Sequence, residues 1–164
     1  MEEKLIALCE KQINKELWSG YLYLNVAEFY RKKGLDGFHA WFMNHAKEEL
    51  EHAEKFCEFL QDRDVEFKLL PIDAPKEKFK DLKEPLLFQV EHEKKVTNMI
   101  KDIYAEAIKE NDYLAKNFLE WFLGEQFEEE TTAKNILDNF TLFASDGSGL
   151  YKVNELLKNE ANKK

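Results

Sequence analysis

The sequence predicts an all-α protein: a four-helix bundle with one long crossover between helices two and three and a short fifth C-terminal helix. Three observations predict this fold class. The 164 residues include only six glycines and three prolines, so turns are few and helices are long. Four long stretches are rich in helix formers and carry apolar residues every three or four positions. One structureless stretch of about twenty residues separates the second helical stretch from the third. A chain of this length forms one domain, residues 1–164.

Each predicted helix has its own start or stop signal. Gly34 ends the first helix, and Asp36 is the expected N-cap of the second. Pro85 suits the first turn of the third helix, and Asn111 or Asp112 caps the fourth. A DGSG turn precedes the fifth. The expected helices are approximately residues 2–33, 36–62, 84–110, 112–143 and 150–160.

The connections predict how the helices are arranged. Short links join helix one to helix two and helix three to helix four, so each of these pairs is antiparallel. The segment 63–83 reaches about 66 Å when extended, which exceeds the roughly 40–48 Å length of the helices at 1.5 Å per residue. It can therefore cross the whole bundle, and helices two and three run parallel.

The charge and composition exclude several classes of function. A formal net charge of −9 disfavours nucleic acid and anionic membranes as partners and attracts cations instead. The sequence begins with the charged stretch MEEKLIALCEKQ and contains no apolar run long enough for a membrane-spanning helix. Cys9 and Cys57 lack metal-type spacing. We therefore expect a cytoplasmic protein.

The predicted core carries a repeated set of polar residues. Each inward-facing apolar stripe is interrupted near its centre by a carboxylate, or by a carboxylate with a second polar residue. The interrupting residues of helix three and helix four lie 77 positions after those of helix one and helix two. This offset is typical of two helical hairpins related by an approximate two-fold axis. The interrupting residues are Glu16, Glu49 with His52, Glu93, and Gln126 with Glu129.

Four carboxylates at one level of an apolar bundle repel one another and lose their hydration. Either they stay protonated or cations neutralise them, and two divalent ions balance four negative charges. Oxygen ligands with one imidazole suit iron or manganese, and zinc also binds such a set. Two other interpretations stay open: the residues are ordinary exposed positions, or the chain is a metal-free bundle that serves as an interaction module.

The other histidines and the tryptophans are assigned to simpler roles. His45 lies on the inward stripe, but its counterpart 77 positions later is Phe122, so we expect a core or partly solvated residue. His39 and His92 fall off the stripe and are expected at the surface. The residues expected on helix exteriors, as candidates for contacts between subunits, are Trp18, Tyr21, Trp41 and Trp121.

The chain resembles the non-haem ferritins of bacteria and archaea over nearly its whole length. The resemblance rests on NKELWSGYLYL (14–24), EELEHAEKF (48–56), EHEKKVT (91–97), FLEWFLGEQFEEE (118–130) and the GLY that opens the last helix. It implies a ferritin-like four-helix bundle, with a di-iron ferroxidase centre within each subunit, in a homo-oligomeric cage of 24 subunits. It also implies oxidation of Fe²⁺ to Fe³⁺ by O₂ or H₂O₂ and deposition of ferric oxide in the cavity.

The resemblance also implies the role of each residue. Glu16, Glu49 and His52 would bind the first iron, with Glu49 as the bridge. Glu93 and Glu129 would bind the second iron. The neighbours of this centre would be Gln126 and Tyr23. A third iron would be bound by Glu48, Glu125, Glu128 and the shared Glu129; the alternative for the first three is a solvated acidic face.

Helix four departs from the pattern of bacterioferritins and many di-iron oxidases. Those proteins carry a second Glu-x-x-His there, whereas this chain has Gln126-x-x-Glu129. We expect no haem and a more weakly held second iron. The alternative function is a ferritin-like di-iron oxidase or peroxidase that stores no mineral.

Overall fold

The computed structural model describes residues 1–75 and 78–163, and within them the chain forms five α-helices and no strand. This confirms the predicted all-α architecture. The helices are α1 Glu3–Arg31, α2 Asp36–Asp62, α3 Glu84–Lys109, α4 Tyr113–Phe143 and α5 Gly147–Ala161. None of them is long and apolar enough to cross a membrane.

The starts of α3 and α4 form as predicted, and only the start of α5 differs from its predicted position. Asp112 caps α4 by accepting a hydrogen bond from the Ala115 N–H at 3.0 Å, as predicted. Helix α5 begins at Gly147, earlier than expected, because Asp146 caps it and accepts from the Gly149 N–H at 2.7 Å. Pro85 lies in the first turn of α3, as predicted.

The predicted N-cap at Asp36 is wrong, because Asp36 is already the first residue of α2. The free N–H groups at this helix start are bound instead by a distant side chain. Asn154 of α5 accepts hydrogen bonds through its Oδ1 from the N–H groups of Gly37 at 2.9 Å and Phe38 at 3.3 Å. The short fifth helix therefore caps α2 through tertiary contact.

Contacts between helix ends fix their directions. Arg63, just after α2, donates to Asp112, just before α4, at 2.6 Å. At the opposite end, the ring of Phe38 in α2 packs against Phe140 in α4. Helices α2 and α4 are therefore antiparallel, and since α3 turns back into α4, α2 and α3 run parallel as predicted.

The long crossover between α2 and α3 runs alongside α1. Asn14 donates from its Nδ2 to the carbonyl oxygen of Pro71 at 2.9 Å, and Tyr30 donates from its hydroxyl to the carbonyl oxygen of Leu82 at 2.7 Å. The segment thus passes from the first half of α1 to its C-terminal end. Residues 76 and 77 of the predicted crossover lie outside the described residues.

The 77-residue offset also relates two turns that the sequence pattern did not reveal. Gly34 after α1 and Asn111 after α3 both adopt a positive φ, 75° and 56°. In each turn the N–H of the next residue donates a hydrogen bond to the carbonyl oxygen five residues earlier. Leu35 donates to Tyr30, and Asp112 donates to Ala107. The two hairpins therefore end their first helices in the same way.

The interior consists of two apolar clusters with a polar layer between them. The first cluster contains Tyr30, Phe38 and Phe42 and is covered by α5. The second contains Phe56 and Phe122. Burial of each such ring contributes roughly 1.5–3 kcal/mol, so the two clusters hold the helices rigidly on either side of the polar layer.

The expected exterior position of Trp41 is wrong. Its side chain is only 7% exposed because Trp41 belongs to the cluster that also contains Val153 and Leu157 of α5. Tyr21 and Trp121 are exposed, and Trp18 is half-buried. These three stay candidates for contacts with other copies of the chain.

Candidate metal centre

The polar layer contains a compact group of possible metal ligands. Glu16 of α1 and Glu49 and His52 of α2 each offer one ligand atom, and these atoms all lie within 4.8 Å of one another. All three residues are buried. Glu49 and His52 share a helical face because they are three residues apart, and His52 Nδ1 lies 3.3 Å from Glu49 Oε2.

A hydrogen bond orients the α1 side of this group. Gln12, one turn before Glu16, donates from its Nε2 to Glu16 Oε1 at 2.7 Å. The other oxygen of Glu16, Oε2, is buried without a hydrogen bond among the described residues. A cation held by Glu16, Glu49 and His52 would satisfy this oxygen.

The other half of the layer comes from α3 and α4. Glu93 accepts a short hydrogen bond from the Tyr23 hydroxyl and a second one from Gln126 Nε2 at 3.2 Å. Gln126 also donates to Thr97 Oγ1 at 3.3 Å. Two donors thus orient the Glu93 carboxylate, and the side chains of Tyr23 and Gln126 lie next to it.

The carboxyl groups of the layer resist ionisation. Burial raises the pKa of Glu16. It also raises the pKa of Glu49 well above its usual range, with further increases from the charges of Glu16, Glu93 and Glu129. Burial raises the pKa of Glu93 to about 7, although the hydrogen bonds from Tyr23 and Gln126 oppose this shift. A divalent cation would relieve the repulsion by replacing these protons.

His52 is suited to bind a metal in its neutral form. Burial lowers its pKa, although the charge of Glu16 acts in the opposite direction. A neutral imidazole leaves one ring nitrogen free to bind a metal. The rings of Trp121 and Phe122 pack edge-on against His52, with centroids 5.9 and 5.8 Å away, and restrict its orientation.

A second compact group lies beside the first. His45 Nδ1 is 3.0 Å from Glu48 Oε2 and 3.5 Å from Glu129 Oε2, and the ligand atoms of these three residues lie within 4.8 Å of one another. The group faces a pocket of about 670 Å³ between α2, α4 and α5, which is also lined by Glu125 and Glu128.

The residues expected at a third iron are thus only partly brought together. Glu48 and Glu129 meet at His45, whereas neither Glu125 nor Glu128 belongs to a compact ligand group among the described residues. Glu125 Oε2 lies 3.9 Å from His52 Nε2 instead. The sequence pattern did not single out His45 as a ligand because its counterpart in the other hairpin is Phe122.

The predicted surface position of His92 is also wrong. The residue is 3% exposed, its Nε2 lies 2.7 Å from Ser19 Oγ, and its ring packs against Trp18. Burial lowers its pKa to about 3. Helix α3 packs against both α1 and α4, so it buries a second line of residues beside the predicted stripe; Gln89, His92 and Val96 form part of that line.

Comparison with known proteins relates both the sequence and the fold to one family. Residues 6–143 match the ferritin-like domain family. A bacterial non-heme ferritin from Campylobacter jejuni is 33% identical over 161 residues, which cover 98% of this chain and 96% of that protein. A probable bacterial non-heme ferritin-like protein from Haemophilus influenzae is 33% identical over 163 residues, 99% of each chain.

The similarity extends to solved structures. An open-pore ferritin from the hyperthermophilic archaeon Archaeoglobus fulgidus superimposes with a TM-score of 0.93 at 33% identity. The superposition covers 96% of this chain and 98% of the archaeal one. The arrangement of helices that positions the two ligand groups is therefore shared with a ferritin.

Proposed function

The chain belongs to the ferritin family, and from this premise we propose that it oxidises Fe²⁺ to Fe³⁺ with O₂ and stores the ferric product. The observation that carries the proposal is the buried group of Glu16, Glu49 and His52 at the centre of the bundle. Buried carboxylates are normally paired or bind metal. Here they lie against each other, and no lysine or arginine forms an ion pair with them among the described residues.

Two Fe²⁺ ions are the substrates of the proposed reaction. Glu16, Glu49 and His52 bind the first ion, and Glu93 and Glu129 bind the second. Glu49 bridges the two ions. Four carboxylates and two divalent ions sum to zero charge, so the filled centre has no net charge to keep hydrated.

The electrons and protons of the reaction balance at this centre. Two Fe²⁺ ions lose one electron each, and O₂ takes up both electrons and two protons to form H₂O₂. Iron binding displaces protons from Glu49 and Glu93, whose pKa values are raised in the free protein. These protons become available where O₂ is reduced. Tyr23 keeps its hydrogen bond to Glu93 and holds that ligand in place.

The ferric product must leave the centre if the site is to turn over. Gln126 stands where a second Glu-x-x-His pair would have its glutamate, and Glu129 stands where that pair would have its histidine. The Gln126 amide donates to Glu93 rather than offering a strong metal ligand. The second iron is therefore held by fewer strong ligands, which favours release of Fe³⁺ to a mineral in the cavity of a 24-subunit cage. The exposed apolar side chains of Tyr21, Leu50, Phe127 and Leu142 support contacts between copies of the chain.

The Glu49→Ala variant tests the proposed centre. We expect the initial rate of Fe²⁺ oxidation to fall by roughly 100-fold or more, since even the loss of a group that only supports a ligand costs 10–100-fold. The size of the assembly should stay unchanged. Glu54→Ala, which removes an exposed carboxylate from the same helix, is the matched control and should oxidise Fe²⁺ at the normal rate. An unchanged initial rate in Glu49→Ala would contradict the two-metal assignment.

A further inference from the structure

We propose that Gln89 is a positioning residue of the metal centre, whose amide has no partner in the metal-free protein and donates to the Glu93 carboxylate once an ion binds there. The proposal rests on the proposed function, in which Glu93 binds the second iron. It goes beyond that function because Gln89 itself binds no ion and acts only by orienting a ligand.

The repeat within the chain points to Gln89. Gln12 and Gln89 lie 77 positions apart, the same offset that relates Glu16 to Glu93. Each glutamine comes four residues before its glutamate, so the two side chains are neighbours on the surface of one helix. Both glutamines are buried, with 0% and 1% of their surface exposed. The two hairpins therefore carry the same pair, a buried amide one turn before a carboxylate of the polar layer.

Gln12 shows what such an amide does. Its Nε2 donates to Glu16 Oε1 at 2.7 Å, and Glu16 Oε2 has no hydrogen bond. Glu16 belongs to the compact ligand group with Glu49 and His52. A donor on one oxygen favours the ionised carboxylate, which is the form that binds metal, and leaves the other oxygen available to an ion. The first hairpin therefore already has the arrangement that a metal ligand requires.

Gln89 has the equivalent position but not the equivalent hydrogen bond. Both its Oε1 and its Nε2 are buried without a hydrogen bond among the described residues. A buried amide without partners destabilises the fold, so the metal-free protein gains no stability from Gln89. Its neighbour one turn along α3 is Glu93, and a carboxylate can accept hydrogen bonds at about four positions. Glu93 is therefore an acceptor that this amide can reach.

Other donors hold Glu93 in the metal-free protein. Tyr23 donates to its Oε1 and Gln126 donates to its Oε2, so both oxygens are occupied. Unlike Glu16, Glu93 belongs to no compact ligand group among the residues that the structure describes. Its carboxylate must therefore turn, and lose at least one donor, before it can share an ion with Glu49.

The donor that Glu93 loses is Gln126. That hydrogen bond is 3.2 Å long, and the same Nε2 also donates to Thr97 Oγ1 and to the Glu93 carbonyl oxygen, both at 3.3 Å. The Gln126 amide thus keeps two acceptors when an ion takes its place at Oε2. Gln89 then donates to the turned carboxylate, and Glu93 gains the arrangement that Gln12 gives to Glu16.

A crystal structure of the protein loaded with Co²⁺ tests this exchange directly. We expect Gln89 Nε2 to lie about 2.7–3.2 Å from a Glu93 oxygen, and Gln126 Nε2 to lie beyond hydrogen-bonding distance of Glu93 Oε2. A Gln89 amide that contacts only ordered water while an ion is bound to Glu93 would overturn the proposal.

Titration of metal-free variants with Co²⁺ measures how much Gln89 contributes to binding. Calorimetry gives the number of ions and their affinities, and the visible absorption of Co²⁺ identifies the ion bound to the His52 nitrogen. We expect at least two ions per chain in the wild type. In Gln89→Leu the affinity for the ion at Glu93 should fall by roughly 10-fold or more, while the ion at His52 binds as before.

Melting temperatures of the same metal-free variants distinguish positioning from support of the fold. Gln89→Leu should melt at or above the wild-type temperature, because it loses a buried amide without partners. Gln89→Met repeats both measurements with an unbranched side chain in case leucine disturbs the packing. Asn98→Leu removes an exposed amide from the same helix and is the matched control, which should change neither the affinities nor the melting temperature.

The outcomes separate Gln89 from the metal centre itself. Affinities that are the same in the wild type and in both Gln89 variants would overturn the proposal and leave the metal centre intact. Equal losses of affinity for both ions, together with a lower melting temperature, would show that Gln89 only supports the fold and would overturn the proposal as well. Fewer than two ions in the wild type would contradict the proposed function, on which the proposal rests.

Discussion

The raised pKa of Glu93 makes a quantitative prediction about the metal-free protein. Its pKa is about 7 in the folded chain, against the ordinary value of 4.5. The folded state therefore binds this proton more tightly than the unfolded state, and the free energy of unfolding falls as the pH rises from about 4.5 to about 7. Above pH 7 the ionised Glu93 destabilises the fold by about 3 kcal/mol, at 1.36 kcal/mol per pH unit.

The Glu93→Gln variant removes this penalty. The glutamine keeps an oxygen that accepts from Tyr23, but its own amide faces the amide of Gln126, and the loss of that hydrogen bond costs about 1 kcal/mol. We expect a net gain of about 2 kcal/mol at pH 8, which corresponds to roughly 4–8 °C in melting temperature for a chain of this size. At pH 5 the penalty is below about 1 kcal/mol, so the gain should vanish.

Thermal melts followed by circular dichroism measure the difference in melting temperature between Glu93→Gln and the wild type at pH 5 and pH 8. Chelator is present, and protein concentration and ionic strength are matched. Glu91→Gln removes an exposed carboxylate of the same helix and should change the melting temperature little at either pH. If Glu93→Gln melts below the wild type at pH 8, or if its advantage is the same at both pH values, the electrostatic description of the polar layer is wrong.

Two further predictions concern single contacts. Tyr23→Phe removes a hydrogen bond that lowers the pKa of Glu93, so Fe²⁺ oxidation should begin about one pH unit higher; a pH–rate profile within about 0.3 unit of the wild type would contradict this. Gly37→Ala places a Cβ 1.8 Å from the Asn154 carbonyl oxygen, so α5 must move and the melting temperature should fall by several degrees. Gly124→Ala meets no atom within 4 Å and should instead raise stability by up to about 1 kcal/mol; the same shift in both variants would refute the close-contact argument.

The fold was predictable because its signals are local. Helix periodicity, the scarcity of glycine and proline, and caps such as Asp112 each depend on neighbouring residues, and the structure confirms them. The polar layer was predictable for the same reason: carboxylates interrupt otherwise apolar stripes at fixed intervals. The structure buries Glu16, Glu49 and Glu93 as that pattern requires, while their assignment as iron ligands stays a prediction.

The features that were missed depend on tertiary contact. Asp36 failed as a cap because Asn154, more than a hundred residues later, binds the start of α2. The periodicity of α2 predicts an exterior position for Trp41 because it carries no information on how the short fifth helix docks. A single stripe on α3 predicts a surface position for His92, but α3 packs against two helices and buries a wider face.

His45 illustrates the limit of the repeat itself. The offset of 77 residues paired it with Phe122 and so suggested a core residue, and it is indeed buried. Its ligand-like surroundings come from Glu129 on another helix, which no pattern within α2 encodes. A repeat indicates where two halves of a chain are alike, whereas the ligand group around His45 lies at a position where the two halves differ.

The most direct test of the two-metal centre is an anaerobic titration of the metal-free protein with Fe²⁺, followed by addition of O₂ and gel filtration. The proposed centre requires at least two Fe²⁺ bound per chain and two iron ions oxidised per O₂ consumed in the first turnover. Storage requires that many ferric ions then elute with a large protein particle. Rapid oxidation without retained iron would indicate a di-iron oxidase instead of a storage protein, and the absence of specific Fe²⁺ binding would contradict the metal centre altogether.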